Sequence, residues 1–224
     1  MGMFYFTGIF YILWKKVIGM SDKWLEWAKR IQSLSQAGLT FSKDIYDIER
    51  YEELREISAE IIEEYTDLEM EKIKELFTNE TGYQTPKVDI RGAVFKDNKI
   101  LLVKEKVDNK WSLPGGFCDV GISPAENVVK EIKEESGYET HAGKLVALLD
   151  MNKHDHPAQP YHYYKIFMHC ELAGGKAETG IETKDVKFFA EDDLPTLSTG
   201  RNTEKQIKML FEFAKNPNKA AVFD

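Results

Sequence analysis

From residue 21 to about residue 80 the apolar positions recur every three or four residues. Trp24, Trp27, Ala28, Ile31 and Leu34 share one stripe, predicted to stop at Gly38. Ile45, Ile48, Leu54, Ile57, Ile61, Tyr65 and Leu68 make a second, starting near Ser42, and residues 69–77 a short third helix. After Pro86 the period falls to two, and strands are expected over 88–94, 100–104, 143–151, 161–168 and 186–189, with Asp97-Asn98 as a tight turn after the first. Helical patterns interrupt them after Ser123 and over 203–215. The chain thus divides into an apolar extension at 1–19, a small all-α domain at 20–83 and an α/β domain at 84–224.

The helix after Ser123 carries the chemistry. Ser123 is a good N-cap, Pro124 suits the first helical position, Glu126 completes a capping box and Gly137 supplies a left-handed stop. Ala125, Val128, Val129 and Ile132 form a core-facing stripe, while Glu131, Glu134 and Glu135 stand at i, i+3 and i+4 on a neighbouring one. Three carboxylates so close repel one another unless a cation lies among them. An oxygen-only set of this kind suits a hard divalent ion such as Mg2+, which also binds substrate phosphate, and the Gly115-Gly116 turn before the helix lets backbone approach a ligand.

These residues resemble the Nudix box: a glycine, five residues, a glutamate, seven residues, Arg-Glu, an apolar residue, any residue, Glu-Glu, any residue, a glycine and an apolar residue. Gly116, Glu131, Ile132, Glu134, Glu135, Gly137 and Tyr138 fill the matching places, while Ile122 and Lys130 stand where the family has Glu and Arg. The resemblance implies a Nudix fold, a mixed sheet between helices, over about 85–215. It implies hydrolysis of a nucleoside diphosphate linked to another group, with Mg2+, or Mn2+ in its place, held by Glu131, Glu134 and Glu135. Glu182 matches a further loop glutamate, a metal ligand or general base, with Glu178 as its rival. Gly115 and Gly116 would shape the phosphate turn, Lys130 and Arg91 would offset charge, and Trp111, Phe117 and Tyr164 would join the substrate surface. The helical extension resembles that of Nudix hydrolases acting on X-linked nucleoside diphosphates. With the aromatic strand from Tyr161 it is most similar to members that cleave CDP-choline to CMP and phosphocholine; ADP-ribose, or a non-catalytic nucleotide sensor, are the alternatives.

Composition narrows the partners. A net charge of −8 with no long basic stripe argues against DNA, makes RNA ends a weaker substrate than a small nucleotide, and disfavours firm contact with anionic membranes. Cys118 and Cys170, far apart and outside any Cys-x-x-Cys pattern, read as reduced thiols of a cytoplasmic protein. Residues 1–19 read as an extension upstream of a second start at Met20, with an interfacial anchor as the alternative. The helical domain is too small for a rich core of its own, so a homodimer is expected, an intramolecular lid being the other option. The 152–160 loop reads as a mobile substrate lid, and His154 and His156 on it have no third metal ligand nearby.

If the family's Glu and Arg act as a pair that Ile122 and Lys130 replace together, Ile122→Glu with Lys130→Arg raises kcat/KM by more than the product of the single changes. Simple multiplication of the two effects would dismiss the pairing.

Overall fold

The computed structural model describes residues 6–65, 82–157, 159 and 161–224. The chain divides into two compact units, Met1–Thr85 and Pro86–Asp224. The short helix expected at 69–77 lies outside the described residues.

The first unit is a helical hairpin of α1 (Phe6–Phe41) and α2 (Ile45–Tyr65). Helix α1 passes through the start expected at Ser21-Asp22 and through the stop expected at Gly38. The glycine serves packing instead: a Cβ there would fall 2.4 Å from the Tyr51 ring of α2. Asp44 opens α2, its Oδ1 accepting from the backbone N–H groups of Tyr46 and Asp47. The hairpin core is slight, Ala28, Ala59 and Ile62 flanked by Trp24, Leu25 and Ile61, with Ser58 Oγ donating to the buried Gln32 Oε1 at 3.2 Å. Trp27, Leu34, Phe41, Leu54 and Ile57 remain exposed within this unit. Among the described residues no helix is long and apolar enough to cross a membrane.

The second unit is the expected mixed sheet between helices. Its elements are β1 (Lys87–Lys96), β2 (Lys99–Glu105), β3 (Trp111–Ser112), α3 (Pro124–Ser136), β4 (Tyr138–Asp150), β5 (Tyr163–Gly175), β6 (Thr183–Phe189), α4 (Glu204–Lys215) and β7 (Val222–Phe223). The strand order is β3-β2-β1-β5-β4-β7, with β6 on the other edge of β2. Among the described strands, β1 with β5 and β4 with β7 run parallel and the other pairs antiparallel. The β1–β2 connection is the two-residue turn read from Asp97-Asn98, both at positive φ as a tight hairpin requires.

Alternation along the strands builds a core on each face. Ile100 and Leu102 join Ala93, Phe167, Ile207, Leu210 and Phe211 under α4, while Leu101 and Val103 join Ile90, Val94, Val128 and Ile132 under α3. Helix α3 lies close on β1 because position 92 carries no side chain: a Cβ on Gly92 would stand 2.5 Å from Ile132 Cδ1.

Strand β1 is forked. Its C-terminal end pairs with β2, and its N-terminal half pairs on that side with the 114–118 loop. Gly92 N–H donates to Pro114 O at 2.9 Å, Ile90 N–H to Gly116 O at 2.8 Å and Cys118 N–H to Val88 O at 3.0 Å. That fork brings the glycine turn against the first strand.

Candidate active site

Helix α3 has the expected ends: a Ser123–Glu126 capping box, Pro124 in the first turn and left-handed Gly137 at φ 75° as C-cap. Gly115 sits at φ 141°, and a Cβ there would lie 2.0 Å from Ile90 O, so no side chain fits between loop and strand. Its N–H donates to Glu135 Oε2 at 2.9 Å, tying the loop to the helix. Beside it, Gly116 leaves room for Glu131, whose Oε2 would stand 3.1 Å from an added Cβ.

Loop, helix and strands enclose a cavity of about 470 Å³. Of the residues expected at the site, Arg91, Gly115, Gly116, Phe117, Glu131, Glu135 and Glu182 line it. Burial pushes the Glu135 carboxyl up to about 7 even though Arg91 and the Gly115 N–H act in the opposite direction. Burial also raises Glu131, partly offset by Lys130.

The remaining expected residues lie elsewhere. Glu134 projects outward, its side chain 57% exposed, and pairs with Lys130 at 3.2 Å. Lys130 also reaches Asp119 at 3.0 Å and Glu131 at 3.6 Å. Hydrogen bonds to Asp119 and Glu134 hold its ammonium above the ordinary lysine range. Asp119, on the loop before the helix, thus joins Glu131 and Glu134 around Lys130, while Ile122 is exposed. Trp111 lies in the core, edge-on to Phe189 at 4.7 Å, because β3 turns its indole away from the cavity. Tyr164 faces away from Tyr163 by strand alternation and meets the His162 ring at 5.3 Å. Tyr163 lines the cavity instead, stacked on Phe117 at 5.5 Å with 23° between the rings.

Arg91 has a different partner from the phosphate that its place in an apolar strand suggests. Its Nε donates to Asp89 Oδ1 at 2.9 Å, Nη2 stands 2.8 Å from the same oxygen and Nη1 donates to Leu113 O at 3.2 Å. The parallel register sets Asp89 beside Lys165, whose Nζ pairs with Asp89 Oδ2. All three side chains are buried. Burial alone would raise Asp89, but Arg91 and Lys165 outweigh it and hold the carboxyl below its usual range. Burial depresses Lys165 to about 8. Sequence reading passed over Asp89, Lys165, Gln159, Gly200 and Arg201, all on the cavity wall. The available signals were an Asp two residues before Arg91 on one strand face and a lysine amid the aromatic run of β5.

The loop expected to be a mobile lid is tied down at several described residues. Asp155 pairs with Lys205 at 2.5 Å, His154 Nε2 stands 3.2 Å from Asp224 Oδ2, and His156 Nδ1 donates to Thr199 O at 2.7 Å. The Cys118 thiol is pushed up by burial, which makes it a poor nucleophile.

Among the described residues no three His, Cys, Asp or Glu groups converge as a finished metal cage. Two carboxylates, Glu131 and Glu135, nonetheless face one cavity with Glu182, an all-oxygen set that fits a hard divalent ion completing its shell with water and phosphate.

A family profile for the NUDIX domain matches residues 85–212, and one described as a UDP-X-like, N-terminal oligomerisation domain matches residues 22–77. A Bacillus subtilis protein provisionally named an ADP-ribose pyrophosphatase is 59% identical over 93% of this chain and 100% of its own. The crystal structure of an ADP-ribose pyrophosphatase from Streptococcus suis is 44% identical, with a TM-score of 0.58, over 62% of this chain and 100% of that one. A UDP-X diphosphatase structure is 36% identical, with a TM-score of 0.60, over 91% of this chain and 99% of that one.

Among the described residues Asp89 is the only acid paired with both Arg91 and Lys165, so its loss strands two buried cations. Asp89→Asn is expected to cost about 3–5 kcal/mol in chemical denaturation, and adding Lys165→Met to recover part of it. An unchanged midpoint for Asp89→Asn would show the triad to be dispensable.

Proposed function

Because this chain belongs to the Nudix family and is a hydrolase acting on phosphorus anhydrides, we propose that it cleaves ADP-ribose to AMP and ribose 5-phosphate with Mg2+ as its ion. The observation that carries this reading is the pair Glu131 and Glu135 on one wall of a cavity, Glu135 tied to the glycine turn and Glu131 one helical turn earlier beside Gly116. The names borne by two of its relatives favour ADP-ribose over the CDP-choline expected from the tyrosine strand, and Tyr164, part of that expectation, does not line the cavity.

Water attacks one phosphorus, the bridging P–O bond breaks, and the second phosphate leaves with the bond's electrons. Bound Mg2+ would neutralise diphosphate charge and acidify the attacking water. Glu131 and Glu135 would hold it, Glu134 joining by rotation of its exposed side chain. Glu182, on the same cavity, is the proposed base that takes the proton of water. The Phe117–Tyr163 stack offers an aromatic surface to the base. The buried Asp89 triad keeps the strand floor rigid beneath it.

Given a panel of ADP-ribose, a UDP-sugar and CDP-choline, ADP-ribose should have the highest kcat/KM with Mg2+, and chelation should abolish turnover. Glu135→Gln and Glu131→Gln should each lower kcat by about 10²–10⁴-fold. Faster turnover of either other substrate would reassign the specificity, and full activity in both variants would remove the acids from the mechanism.

We also propose a homodimer formed through the first unit. Its exposed Trp27, Leu34, Leu54 and Ile57, with the oligomerisation domain named in the matching profile, support this. Sedimentation at micromolar concentration should give twice the chain mass; a monomer would end the proposal.

A further inference from the structure

Among the described residues three cations line the cavity, Arg91, Lys165 and Arg201, and they differ in how deeply each is buried against a protein partner. Arg91 sets each nitrogen against a protein oxygen, Nε and Nη2 on Asp89 and Nη1 on Leu113, and its remaining N–H groups belong to a side chain that is almost wholly buried. The Lys165 ammonium is buried against Asp89. Arg201 spends its Nε on Glu105 Oε1 at 2.7 Å and sets Nη1 3.5 Å from Ser198 Oγ. Its Nη2 has no protein partner among the described residues, and its side chain is 30% exposed, against 7% for Arg91 and 2% for Lys165.

The mounting of Arg201 is as telling as its open face. Glu105 is buried on β2 and also accepts from Ser112 Oγ at 2.6 Å, so the carboxylate that grips the guanidinium is itself fixed. The loop around Arg201 is fastened to β3: Ser198 N–H donates to Trp111 O at 2.8 Å, Ser198 Oγ to Asp108 Oδ2 at 2.6 Å, and Leu113 N–H to Asn202 Oδ1 at 2.8 Å. One edge of the guanidinium is thereby clamped, and the side chain lines the cavity. Preorganised donors of this sort suit a phosphate oxyanion, which takes hydrogen bonds from arginine in fixed directions.

We propose that Arg201 is the cation that binds a phosphate oxygen of the substrate's diphosphate, with Glu105 as its positioning residue, and that Arg91 plays no part in binding it. The assignment rests on the diphosphate-hydrolase reading.

The test compares Arg201→Gln, Arg201→Lys and the double variant Glu105→Gln/Arg201→Gln. In steady-state assays on ADP-ribose with Mg2+, Arg201→Gln should raise KM about 10–100-fold while kcat changes by no more than a few-fold. Arg201→Lys, which keeps the charge without the fork, should fall between. Because Arg201→Gln leaves Glu105 buried without its counter-charge, it also lowers Tm. The double variant removes that burden, so Tm should return while KM stays raised. Calorimetric binding of inorganic pyrophosphate with Mg2+ needs no turnover and should weaken about 10-fold or more in both Gln variants. A double variant with wild-type KM and wild-type pyrophosphate affinity would reduce Arg201 to a counter-ion of Glu105 and overturn the proposal. Wild-type protein that hydrolyses none of the panel, yet binds pyrophosphate through Arg201, would sink the substrate reading alone.

Discussion

The 114–118 loop lies along β1 with no room for a side chain at Gly115, and the placement of the site follows from that close approach. The loop takes the edge of β1 that β2 vacates, and the three hydrogen bonds between them leave the Gly115 N–H turned toward α3. There it meets Glu135, so a backbone dipole fixes one carboxylate while the helix spacing fixes Glu131 a turn earlier. A residue with a Cβ at 115 would push the loop from the strand and break both relations together. The α3 caps matter for the same reason: they hold the helix to a defined start and stop, and therefore fix which of its faces meets the loop.

The charged floor of the cavity is arranged by a different rule. A buried cation is tolerable only with a partner of its own, and Asp89 serves both Arg91 and Lys165. The parallel pairing of β1 and β5 makes this possible, since it aligns Asp89 with Lys165 while alternation puts Arg91 on the same face two residues along. The consequence is a division of labour. Cations buried against Asp89 belong to the strands, and the more exposed Arg201 is the one proposed for ligand.

Much of this was legible in the sequence, and the reasons differ by element. Both ends of α3 and the turn at Asp97-Asn98 rest on contacts within a few residues, so local chemistry determines them. The glutamates of α3 could be assigned to one side of a helix but not to a cavity or to solvent. Which carboxylate faces inward depends on the loop packed beside it, and Glu134 falls outside. The partner of Arg91 is Asp89, two residues back on the same strand, but that acid's second cation lies on β5, 76 residues from it, where no local pattern could reveal it. Gly38 was misread because a glycine that ends a helix and a glycine that admits a neighbouring ring look alike until the second helix is in place. Trp111 and Tyr164 were misassigned by proximity in sequence, where the direction of each side chain decides.

The two helices on opposite faces of the sheet carry a final consequence. The acids belong to α3, on one core, and Arg201 immediately precedes α4, on the other. The width of the cleft therefore depends on how α3 packs on its face and on how the 198–202 loop leading into α4 is fastened beside β3. Evolution could retune such an enzyme for a bulkier or slimmer leaving group by trading methylene groups deep beneath either helix, without touching a residue that ever meets the nucleotide.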